Sequence, residues 1–219
     1  MSSATAFEAP VAGRGDPYRL GRQGGGHGAG GPASKRIVVG YGFWIFLLSD
    51  IVMFSAFFAA YAVLARNTAG GPTGRDLFDL DRVAIETACL LLSSFTCGLS
   101  KVWSDAGNLI WTEIWLLATA LLGLAFVCLE AYEFWGMIQN DAGPGRSAFL
   151  SAFFALVGCH GLHVSAGGLW LATMMAQIWV KGFRPNVCRR LLCFNLFWHA
   201  LDIIWVALFT VVYLIGAGA

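Results

Sequence analysis

The chain has 219 residues, of which 58% are hydrophobic and 12% charged, and its mean hydropathy is +0.67. A water-soluble domain carries about twice that share of charge, so much of the apolar surface has to face lipid. The net charge of +1 excludes the basic field that nucleic-acid binding needs, and no nucleic-acid partner is expected. Residues 1–34 hold no apolar stretch long enough for a signal peptide and are rich in glycine, as at Gly24, Gly25 and Gly26. Such a segment cannot bury enough surface to fold and reads as a disordered tail.

Five stretches after the tail are long and apolar enough to cross a bilayer, which takes about 20 residues each. They run over residues 37–64, 83–102, 109–134, 147–180 and 191–215, and residues 35–219 form one all-α membrane domain of five helices. The first and third connections carry the Gly/Pro clusters of loops, Gly70-Gly-Pro72 and Gly143-Pro-Gly145. The second connection is short enough to make the second and third helices antiparallel neighbours. Six cysteines include no CxxC pair and read as small apolar residues within or beside the helices. Lysine and arginine divide ten against four between the two sides. The positive-inside bias therefore puts the N-terminus and its tail in the cytoplasm and the C-terminus in the periplasm.

Charges inside a span cost several kcal/mol unless they are paired or hydrated. This chain nevertheless places Asp50, Glu130, Glu133, His160, His163, His199 and Asp202 there, six of them as i, i+3 pairs sharing a helix face. Glu86 and Glu113 fall near helix ends, where a carboxylate can reach water. Four chemistries fit the inner set by residue type. They are a metal site, haem ligation by His160 or His163 with His199, a proton path using Asp50, and a structural network that locks helix packing and holds lipid.

Four stretches carry a resemblance. Gly42-Phe-Trp-Ile-Phe-Leu-Leu-Ser-Asp50, Leu129-Glu-Ala-Tyr-Glu-Phe134, Phe153-Phe-Ala-Leu-Val-Gly-Cys-His-Gly-Leu-His-Val164 and Phe197-Trp-His-Ala-Leu-Asp-Ile-Ile-Trp205 resemble, in order, subunit III of the haem-copper terminal oxidases. The likeness covers roughly residues 37–217. The five-helix form and the loop Thr68-Ala-Gly-Gly-Pro-Thr-Gly74 are similar to the quinol-oxidising branch, the bo-type ubiquinol oxidases.

The resemblance implies a non-redox, non-catalytic subunit in the inner membrane of an aerobic bacterium. Its complex would oxidise ubiquinol, reduce oxygen and pump protons. The subunit itself would bind no cofactor, since haem and copper belong to subunit I, and it would dock on subunit I in company with subunits II and IV. It also implies phospholipids held in a V, with helices 1–2 leaning away from helices 3–5. Asp50 falls where cytochrome c oxidases carry a buried, usually longer, carboxylate. Glu133, His160, His163, His199 and Asp202 match family positions. The alternative is an independent proton-linked channel or transporter built on Asp50.

Overall fold

The computed structural model describes residues 35–218, and the residues read as a tail lie outside them. Among the described residues every regular element is a helix. The order is α1 Lys35–Leu64, a short α2 Gly74–Leu77, α3 Leu80–Asp105, α4 Leu109–Gln139, α5 Ala148–Lys181 and α6 Pro185–Leu208. A π-helical segment, Phe209–Leu214, and a final turn, α7 Ile215–Gly218, continue the last span. Five helices meet the length and composition for crossing a membrane, as expected.

The helices outrun their apolar cores because polar caps and interfacial residues, which hydropathy does not see, start them. Asp79 accepts from the Arg82 amide, Asn108 from Trp111 and Ser147 from Leu150, each fixing one of the free N–H groups of a first turn. Pro185 opens α6, where a missing N–H costs nothing. The last span accordingly begins six residues before the expected Leu191, through a basic turn that can sit among lipid headgroups.

The three-residue connection 106–108 makes α3 and α4 neighbours, as its length required. The V does not form. Helix α1 packs on α5 and α6, while α3 packs on α4 and α6, so the first two spans do not make an arm together. The reason lies in their side chains. The buried indole N–H groups of α6 need acceptors in a waterless layer, and the Ser93 and Thr87 hydroxyls of α3, which themselves donate to the Leu90 and Val83 carbonyls, supply them. The Trp205 indole N–H donates to Thr87 Oγ1 (3.1 Å) and the Trp198 indole N–H to Ser93 Oγ (3.0 Å). Ser94 Oγ lies 2.6 Å from His199 Nδ1, and Asn195 donates to the Cys97 carbonyl (3.1 Å). As the α3 number climbs from 87 to 97 the α6 number falls from 205 to 195, which is one antiparallel register. Each interhelical bond of this kind contributes about 0.6 kcal/mol on average.

Helix α1 has nothing comparable to offer α3. Its Ser49 and Ser55 hydroxyls donate to their own helix, at Phe46 O and Ile51 O. It attaches instead through a seam of Leu47, Phe54 and Tyr61, spaced by seven. Its rings meet α5 in antiparallel order, Phe43 on Trp170, Phe54 on His163 and Tyr61 on Phe149. Only 11% of its apolar window is buried, against 61% for the last span. Helix α6 is thus the centre of the bundle and α1 its most lipid-facing member.

One indole fastens four helices. Trp198 of α6, 3% exposed, bonds to α3 and lies between Gly123 of α4 and Gly167 of α5. A methyl at Gly123 would come within 2.9 Å of the ring, and one at Gly167 within 3.0 Å.

Candidate functional site

The polar residues singled out in the sequence gather into three groups. The deepest holds Glu130 and Glu133 of α4 with Tyr213 of the π segment. The Tyr213 hydroxyl, fully buried, donates to Glu133 Oε2 at 3.4 Å. Seating six residues in a π turn changes the face that the end of the span presents. Glu86 of α3 joins this group and corrects the expectation that it reaches water. It is 0% exposed, neither of its carboxyl oxygens has a hydrogen-bond partner among the described residues, and it lies within electrostatic range of Glu130 and Glu133. Nearness to a helix end does not decide exposure; the direction of the side chain does. Val83, Glu86, Leu90, Ser93 and Cys97 are spaced by three and four and make one inward stripe. Glu113 is half-buried, with Oε1 enclosed.

Glu130 is seated by a glycine. A Cβ on Gly161 of α5 would fall 2.5 and 2.7 Å from its two carboxyl oxygens, whereas one on Gly158 would meet only Phe134 at an ordinary 3.6 Å. Between α4 and α5 a groove of about 480 Å³ runs past Glu130, floored by Ala131, Ala155, Gly158, Gly161 and Ser165. Gly161→Val should therefore displace the carboxyl and destabilise by about 1–3 kcal/mol, and Gly158→Val should be tolerated. Thermal unfolding of the two variants side by side checks this, and equal midpoints would contradict it.

His160, also fully buried, is enclosed by rings rather than ligands. Trp205 lies 5.2 Å away at 30°, with Phe126 and Phe54 presenting edges at 5.9 and 6.2 Å. Neither of its ring nitrogens has a partner among the described residues.

The second group is on the α1–α5 seam. His163 Nδ1 donates to the Cys159 carbonyl at 2.7 Å, its ring meets Phe54, and half-buried Asp50 lies within electrostatic range of Cys159. The third is the His199–Ser94 contact with Asp202 one turn further on, beside a crevice of about 470 Å³ between α1 and α6. Trp44, Ile51, Phe54 and Ile203 line that crevice, which is mostly apolar, with Ser55 and the His199 imidazole as its polar members. The members of an i, i+3 pair share a helix face, as His160 and His163 do in both meeting Phe54. The pairs do not converge on one point, and no cluster of His, Cys, Asp and Glu among the described residues has the arrangement to hold a metal ion. Tyr213, Trp198 and Trp205 were not picked out from the sequence as members of these groups, because a tyrosine or tryptophan in an apolar run looks like any other core aromatic.

The description of the cytochrome c oxidase subunit III family matches residues 24–217. The chain is similar to cytochrome bo(3) ubiquinol oxidase subunit 3 of Pseudomonas aeruginosa, 52% identical over 177 residues, which cover 81% of this chain and 85% of that protein. It is also similar to the subunit 3 of the same name from Buchnera aphidicola subsp. Baizongia pistaciae, 44% identical over 80% of this chain and 90% of the relative. The quinol oxidase subunit 3 of Bacillus spizizenii is 43% identical over 81% of this chain and 87% of its own length.

Proposed function

The chain belongs to the cytochrome c oxidase subunit III family, and from this we propose that it serves a bo-type ubiquinol oxidase as its non-redox third subunit. The observation that carries the reading is the likeness, over four fifths of the chain, to proteins named as subunit 3 of quinol oxidases. A bundle of five spanning helices supports it. In this reading the chain sits in the bacterial inner membrane with its N-terminus and the tail 1–34 in the cytoplasm, by the lysine and arginine count. It docks on subunit I, which carries haem and copper, with subunits II and IV in the same complex.

The seven polar residues act in packing rather than redox chemistry. Ser94–His199 and Tyr213–Glu133 join helices, and Asp50 with His163 marks the seam that holds α1. Phospholipid chains lie in the crevice between α1 and α6, in place of the expected V. A proton channel confined to this chain is the weaker reading, since no hydrogen bond between described residues links Asp50 to the Glu86, Glu130 and Glu133 group.

Purification of the complex through a tag on this chain, in mild detergent, tests the proposal. A haem-bearing large subunit at equal stoichiometry with quinol oxidase activity is expected. A colourless chain, stable and alone, would overturn it.

A further inference from the structure

The groove of about 480 Å³ between α4 and α5 has a floor of small residues, Ala131, Ala155, Gly158, Gly161 and Ser165. Gly161 is small because the Glu130 carboxyl occupies the space of its side chain. Gly158 has no such reason inside the chain, since an added methyl there would meet only Phe134, at 3.6 Å. Ala131 and Ala155 are exposed on the two walls. A glycine weakens a helix relative to alanine, and fluid lipid chains, which mould to any side chain, do not require one. Small residues in a row on a membrane helix let a second backbone come close.

The groove also lacks a hydrogen-bond donor. Glu130 stands on its wall, 3% exposed, and Oε1 has no hydrogen-bond partner among the described residues. The hydroxyls nearby are already engaged: Tyr213 donates to Glu133, and Ser165 donates to the Gly161 carbonyl at 2.8 Å. Water does not supply the missing bond either. Helix α4 has 31 residues, about 46 Å at 1.5 Å per residue, against a hydrocarbon layer of about 30 Å. Glu130, about 14 Å from the helix end at Gln139, therefore lies within that layer. What satisfies the carboxyl has to come from outside the chain, carry a donor, and be slim enough at that level to lie on glycine.

We propose that the α4–α5 groove seats a membrane-spanning helix of another subunit, its backbone lying against Ala155, Gly158 and Ser165 and a side-chain N–H or O–H on that helix donating to Glu130. The proposal rests on the reading of the chain as one subunit of a membrane complex, and adds to it the face that docks and the chemistry of the partner. The groove shares no lining residue with the crevice between α1 and α6.

The test uses the intact complex, purified through a tag on this chain in mild detergent. A photoreactive side chain is installed on the groove's rim as Ala155→p-benzoylphenylalanine, the complex is irradiated, and the adduct is mapped by mass spectrometry. It should fall on a spanning helix of another subunit, within two turns of a side chain that carries an N–H or O–H donor. Adding Glu130→Leu should lower the adduct roughly tenfold, because the partner's donor is then stranded in a waterless layer. Glu130→Gln keeps an acceptor oxygen and should retain most of the adduct. Gly158→Val, which the fold of the chain itself accommodates, should lower it by filling the space of the partner's backbone. Glu86→Gln removes a carboxyl outside the groove lining and should leave it unchanged.

Adducts to lipid alone, or to a second copy of this chain, would overturn the proposal. So would undiminished adduct from the Glu130→Leu complex, since the carboxyl would then play no part in docking. Should the leucine variant fail to fold, Gly158→Val decides by itself, and undiminished adduct there overturns the proposal. Failure of the underlying reading looks different: the tagged chain would purify with no other subunit, and the proposal would fall with it.

Discussion

Trp198→Ala should cost about 3–5 kcal/mol and largely abolish assembly of the bundle. The truncation removes a side chain that is 3% exposed, strips Ser93 of its indole donor, and opens a void facing α4 and α5 together. A cavity in a membrane core cannot be refilled by a small movement of one neighbour when three helices border it. Yield of monodisperse complex by size-exclusion chromatography reads the effect directly. Trp198→Phe keeps most of the ring volume and loses the hydrogen bond, so it should fall between alanine and wild type. Wild-type yield from the alanine variant would mean that the indole does not fasten the four helices.

Gly167→Leu attacks the same point from the other side, by overfilling it. A Cβ there would stand 2.9 Å from the Phe197 ring and 3.0 Å from that of Trp198, and both rings are buried and unable to swing away. The expected cost is about 1–3 kcal/mol or somewhat more. The control is the next residue: Gly168 has nothing within 4 Å of an added Cβ, and Gly168→Leu should unfold at the wild-type temperature. The two substitutions change composition and hydropathy identically. A difference between them reports packing alone, and equal melting curves would contradict the geometry.

Much of the architecture is legible in the sequence. The five spans follow from runs of apolar residues, and the α3–α4 pairing follows from a connection too short for anything else. The i, i+3 spacing of Glu130/Glu133 and His199/Asp202 put each pair on one face, and the structure keeps them so. What was not legible is direction and partner. Glu86 looked interfacial because it is near a helix start, yet helical phase, not depth, decides whether a side chain meets water. Its stripe with Val83 and Leu90 carried that information. The V failed for a related reason. Resemblance suggested which helices lean together, but the choice is made by where buried donors find acceptors, and the Trp198 and Trp205 indoles of the last span find theirs on Ser93 and Thr87 of α3. Tyr213 was hidden by the π segment, since a phase shift of that kind has no signature in apolar periodicity.

The α3–α6 register has a consequence for biogenesis. Helices leave the ribosome in order, and α3 enters the membrane long before Asn195, Trp198, His199 and Trp205 have been made. During that interval Thr87, Ser93 and Ser94 have no interhelical partner, and the half-made chain presents a polar stripe to whatever surrounds it. The bundle is therefore completed by its last long helix, and a chain arrested in the loop between α5 and α6 is a different object from one missing a peripheral helix. It would have every span but one and none of the bonds that bind α3 to α6, which makes it a natural substrate for an insertase to retain or a membrane protease to remove.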